Sequence, residues 1–61
     1  MKSSQLIRML LQDGWFKVSQ RGSHIKMKHP TKRGFVLVAD HGSKEVATGT
    51  AQNILKSAGL K

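Results

Sequence analysis

Apolar residues recur along this chain first at helical spacing, then at alternate positions, then at helical spacing again. Leu6, Ile7, Leu10 and Leu11 mark one face of a helix predicted over residues 4–13, with Arg8 and Gln12 outside and Met9 at the edge. Ser3 or Ser4 is its expected N-cap, and Gly14 its left-handed stop. Neither serine has a Glu or Gln at the offset of a capping box. Residues 15–19 read as a strand, Phe16 and Val18 pointing one way and Trp15, Lys17 and Ser19 the other. Gln20-Arg21-Gly22-Ser23 is a turn in which Gly22 can take positive φ. A second strand over 24–29 sets Ile25 and Met27 on one face against His24, Lys26 and Lys28 on the other. Pro30, with no N–H for a ladder, ends it. After the basic turn Thr31-Lys32-Arg33-Gly34 comes a third strand over 35–39, apolar on both faces. Residues 40–49 form an irregular connection. A closing helix over 50–58 follows, capped by Thr48 or Thr50, with Ala51, Ile54, Leu55 and Ala58 on its buried stripe. Gly59 and Leu60 fit a helix end in which an apolar residue folds back onto the last turn.

The predicted order is helix, three-stranded meander, helix: an α+β fold of α-β-β-β-α topology. Short turns require antiparallel neighbours, and two amphipathic helices must bury their stripes on one face of the sheet. Val36 and Val38 cannot share a face with Phe35 and Leu37. One pair is therefore left on the open side, an apolar patch beside His24, Lys26 and Lys28. A length of 61 residues allows a single domain over 1–61, with a marginal core.

Charge changes the picture more than any other feature. Eleven Lys and Arg face three Asp and Glu, a formal net charge of +8. Such a field attracts phosphate backbones ahead of an acidic protein surface alone. A basic membrane-surface helix would gather its lysines on one helical face, whereas these lie in turns and strands. There is no cysteine, hence no disulfide and no thiolate zinc site. With no apolar run of membrane-spanning length and no signal-peptide pattern, a cytoplasmic protein is expected.

Three acids are too few for paired-carboxylate chemistry, and His24, His29 and His41 lack metal-ligand spacing. No phosphate-binding glycine motif is present. Neither a metal nor a cofactor is expected. His24 stands apart because it follows a Gly-Ser turn, opens a strand and shares a face with two lysines. Imidazole titrates near neutrality and can take or give a proton. RNA carries its own nucleophile, the 2′-OH, so cleavage needs only a base, an acid and charge stabilisation. On pattern alone, a plain solvent-facing histidine remains the simpler reading of His24. His29 reads as a strand-end residue, and His41 lies in a loop able to approach the open face. Trp15 reads as a packing residue ahead of a base-stacking one. Lys32 and Arg33 form a solvated turn open to phosphate contact.

Taken in order, several segments resemble the HicA (YcfA-like) toxin family. They are Met1-Lys2-Ser3-Ser4 with Leu6-Ile7, the Asp13-Gly14-Trp15 junction, and Gly22-Ser23-His24 followed by Lys28-His29-Pro30. Residues 38–42, Gly49-Thr50 and residues 54–60 continue the match. The resemblance implies a fold like the double-stranded-RNA-binding domain. It implies an mRNA-cleaving toxin of a toxin–antitoxin pair, inhibited by a HicB-type antitoxin, with His24 as its catalytic histidine. In that reading Lys26 and Lys28 hold the phosphate, and Lys17, Arg21, Gly22, Ser23, Lys32, Arg33 and His41 extend the RNA contact. His24 is general base or general acid; the second proton group is His41, a lysine or water. The chain departs from the family pattern at Ile25, at Ala39 and at Val46-Ala47-Thr48. Two rivals stand beside it: an RNA-binding module that does not cut, and an interaction protein whose charge grips an acidic partner.

Overall fold

In the computed structural model, which describes residues 1–61, helix α1 spans Ser3–Gln12. Its N-cap is Lys2 rather than a serine. The Lys2 N–H donates to Gln5 Oε1 at 2.9 Å, half of the capping box expected to be missing. Ser3 does something else. It is the one buried polar side chain, and its hydroxyl donates to the Ala39 carbonyl while accepting the His41 N–H at 3.1 Å. A buried hydroxyl with both roles filled fastens the start of α1 to a segment 36 residues away. The helix buries Leu6, Ile7 and Leu10, but Leu11 is 48% exposed. At about 100° per residue, Leu11 falls past the edge of a stripe centred on Leu6 and Leu10.

Strands β1 (Phe16–Arg21), β2 (His24–Lys28) and β3 (Phe35–Ala39) form an antiparallel sheet in the order β1-β2-β3. β1 runs on to Arg21 because Arg21 pairs with His24 across a two-residue turn. Gly22 holds a φ of 60° there, and Gln20 Nε2 donates to its carbonyl at 2.9 Å. A bulge between Lys17 and Ser19 breaks the expected alternation. Ser19 then lies opposite Lys26, on the face of Phe16 rather than that of Lys17.

Helix α2 covers Thr48–Ser57 and starts two residues early, from an Ala47 N-cap with no side-chain bond. Thr48 is already inside the first turn, so neither threonine caps. At the other end Gly59 has a φ of 74°. The Leu60 N–H donates to the Leu55 carbonyl at 2.8 Å and the Gly59 N–H to that of Lys56 at 3.0 Å. This is the predicted fold-back. Residues 40–47 are irregular but anchored: Lys2 and Glu45 form an isolated antiparallel bridge, and the Ser4 N–H donates to the Gly42 carbonyl at 2.9 Å. The core joins Leu6, Leu10 and Trp15 to Ile25, Met27, Val36 and Val38 and to Ala51, Leu55 and Ala58. Both helices therefore cover one sheet face and leave the other open. No helix is long and apolar enough to cross a membrane.

Lys32 joins the two helix ends. Its ammonium donates to Asp13 Oδ2 at 2.5 Å and to the Ala58 carbonyl at 2.8 Å. The Lys32 ammonium holds the Asp13 carboxyl below its usual range; burial opposes this, and Trp15 Nε1–H at 3.2 Å adds to it. A depressed carboxylate stabilises the fold above the ordinary aspartate range and loses that contribution as pH falls through its lowered value. Asp13→Asn is expected to lower the thermal midpoint at neutral pH, with the two melting curves converging in acid. An offset that persists unchanged into strong acid would contradict the ion pair's role.

Candidate functional site

The open face of the sheet is built by β2. Ile25 and Met27 are wholly buried, so the pleat turns His24, Lys26 and Lys28 outward. Register assembles three rows across the strands: Arg21–His24–Ala39, Ser19–Lys26–Leu37 and Phe16–Lys28–Phe35. His24 is exposed at the head of β2, directly after the Gly22-Ser23 turn, with Arg21 as its cross-strand neighbour. Lys26 is half-buried, its ammonium 4.4 Å from the Phe35 ring centroid, and Lys28 is exposed.

His41 comes to the same end of the sheet. The Asp40 N–H donates to the Ser23 carbonyl at 2.7 Å, tying the loop after β3 to the turn before β2. The His41 N–H is held by Ser3, while its residue stays exposed. Of the predicted residues, Arg21, His24, Lys26 and Lys28 thus share the open face, Gly22 and Ser23 form the turn at its end, and His41 is exposed in the adjoining loop, whose backbone is bonded to the start of α1.

Three predicted contacts do not join them. Lys17 pairs with Met27, whose row faces the helices, so Lys17 points to the other side of the sheet edge. Lys32 has its ammonium committed to Asp13 and Ala58. Arg33 is exposed in the turn before β3, beyond the Lys28 end of β2 and away from His24.

His29 leaves the ladder and is structural. Its Nδ1 accepts the Thr31 and Lys32 N–H groups, both at 3.1 Å. That pattern assigns the ring proton to Nε2, which donates to the Asp13 carbonyl at 2.6 Å. The ring also meets Trp15 edge-on, with centroids 5.3 Å apart. A Cβ on Gly14 would sit 2.9 Å from His29 Nε2, so this junction requires glycine. Trp15, only 2% exposed, packs as expected.

The apolar pair left on the open side is Phe35 and Leu37, while Val36 and Val38 are buried. Phe16 and Val18 extend apolar surface along β1. No three His, Asp or Glu side chains converge as metal ligands would.

Comparison with known proteins identifies the frame around this face. A family model describing the HicA toxin of bacterial toxin–antitoxin systems matches residues 3–60. Among curated proteins none matches significantly. Among solved structures, a chain of a toxin–antitoxin complex from Streptococcus pneumoniae is 31% identical, with 98% of each chain covered and a TM-score of 0.77. Matched over nearly its whole length and sharing the fold of that neighbour, this chain belongs to the HicA toxin family of bacterial toxin–antitoxin systems.

Proposed function

We propose that this toxin is a metal-independent endoribonuclease that cleaves mRNA through His24 and is neutralised by a HicB-type antitoxin. The observation that carries the reading is the position of His24, exposed at the head of the central strand between Arg21 and Lys26. An imidazole there can act at neutral pH as base on the 2′-OH or as acid on the 5′-oxygen. With His24 as base, the 2′-oxygen attacks phosphorus, the bond to the 5′-oxygen breaks, and a second group returns a proton to the leaving oxygen. The products are a 2′,3′-cyclic phosphate and a 5′-hydroxyl. Arg21 and Lys26 offset the charge that builds on the phosphoryl oxygens. His41 is the favoured second proton group, because the Asp40–Ser23 bond keeps its loop at the His24 end. Lys28 continues the phosphate track down β2; Lys17 and Lys32 fall outside it.

The antitoxin reading draws on the neighbour, which is itself a chain of a toxin–antitoxin complex. An inhibitor seated on the open face would cover His24 and bury Phe35 and Leu37 together. Hydrogen exchange on the complex should then show protection across β2 and β3. Protection confined to α2 would contradict that placement.

Cleavage should continue in excess EDTA and yield cyclic-phosphate and 5′-hydroxyl ends. Substrate with 2′-O-methyl sugar at the cut should bind and resist. His24→Ala should lose at least ~100-fold in rate, the usual size of one general acid or base, with little change in thermal midpoint, since the residue is exposed. Loss of activity in EDTA, or products with 5′-phosphates, would assign the attack to a metal-bound water.

Binding to single-stranded RNA should be electrostatic. About four phosphate contacts predict a log–log salt slope of roughly −3. Lys28→Ala should make the slope shallower by ~0.7. Lys32→Ala should leave the slope unchanged and lower stability, since its ammonium serves the helix ends. A shallower slope in Lys32→Ala would return that residue to the RNA track.

A further inference from the structure

The chain has one Trp and two Phe. Trp15 is buried, yet Phe16 and Phe35 lie on the open face, 46% and 50% exposed. A core this small would gain from either ring inside it. Instead the register sets both in one row, Phe16 opposite Lys28 and Lys28 opposite Phe35. Leu37 lengthens the apolar flank on β3, whereas the β1 side of the face passes from Phe16 to Ser19 and Arg21, and His24, Lys26 and Lys28 run between the two. At the Lys28 end the face thus sets a lysine between two phenyl rings, and toward His24 it becomes basic and polar on the β1 side.

This layout sets what an occupant must supply. A protein laid across it, the proposed antitoxin included, must bring acidic groups to offset the desolvation of the lysines at its centre. Single-stranded nucleic acid has the matching layout, a charged backbone with flat bases swung to the sides. Same-face neighbours on β2 are roughly 7 Å apart, comparable to the separation of successive phosphates in an extended strand. No acidic residue lies in the three rows of the face, since Asp13 follows α1 and Asp40 and Glu45 follow β3.

We infer that Phe16 and Phe35 are stacking platforms for the bases of unpaired RNA, whose backbone runs along β2 on Lys26 and Lys28 toward His24. The inference rests on the RNA-cleaving reading and names the form of the substrate. Bases inside a duplex are stacked on each other and present no free face to a phenyl ring, so the platforms select single strands. Lys26 now sits over the Phe35 ring at 4.4 Å. A cation over an exposed ring is held more weakly than a stacked base. An arriving base therefore takes the ring, and the displaced ammonium turns to the adjacent phosphate.

The test reads binding rather than cleavage. The probe is a fluorescein-labelled, fully 2′-O-methylated single strand about eight nucleotides long, which offers no nucleophile. Phe16→Ala and Phe35→Ala should each weaken its binding about 5- to 100-fold. The salt slope should stay the same, because no charge is removed. Phe35→Trp should keep the affinity, and melting curves of all variants should overlay that of the parent. A blunt duplex of equal length should bind more weakly than the single strand and ignore the Phe substitutions. Unchanged single-strand affinity in both alanine variants would overturn the inference, as would a loss confined to antitoxin binding. If His24→Ala abolished cutting while the Phe variants bound normally, the platforms would fall and the nuclease would stand. Weakened binding in the Phe variants without any cleavage by the parent protein would keep the platforms and remove the nuclease.

Discussion

The burial of Ile25 and Met27 beneath the two helices decides which side of the sheet is left for chemistry. Each side chain contributes about 1.5–3 kcal/mol when removed from water, a large share of what a domain of this size can command. A slip of one residue in β2 would bring His24, Lys26 and Lys28 inward and put the core residues in solvent. The pleat therefore couples the hydrophobic core to the exposed histidine. Register with β1 then brings Arg21 beside His24, and register with β3 brings Phe35 beside Lys28.

Around that core the domain is held by polar fasteners at its seams. Ser3 joins the start of α1 to the end of β3, and His29 links the end of α1 to the turn after β2. Lys32 bridges the C-terminal ends of both helices, where carbonyl groups lack helical partners. Each uses a residue type that composition alone would assign to the surface. One consequence is electrostatic. Part of the +8 charge serves the fold, and the open face draws its positive character from Arg21, Lys26 and Lys28.

The loop after β3 also has a defined place. Its backbone meets the Gly22-Ser23 turn through Asp40 and the start of α1 through Gly42 and Lys44. The loop is thereby kept at the His24 end of the sheet without any regular secondary structure. His24 and His41 are 17 positions apart in the chain, and the antiparallel pairing of His24 with Ala39 sets the start of the loop that carries His41 beside the turn before β2.

Much of this was legible in the sequence because it follows from local periodicity. Alternation in β2 determined that His24, Lys26 and Lys28 share a face, and the incompatible faces of Phe35–Ala39 determined that an apolar pair would remain in the open. The Gly59-Leu60 ending followed from chemistry confined to one helical turn. What local pattern could not supply were interactions between distant residues. The bulge that moves Ser19 across β1 has no signature in side-chain type. Ser3 looked like a cap because its true partners, Ala39 and His41, are remote in the chain. Lys32 and Lys17 looked like phosphate ligands because sequence counts charges without their neighbours. Only the folded chain puts Asp13 against Lys32, and only the pairing of Lys17 with Met27 turns that side chain away from His24. Residue periodicity decides which face a side chain takes; its partner there depends on chain closure, whose contacts no short window contains.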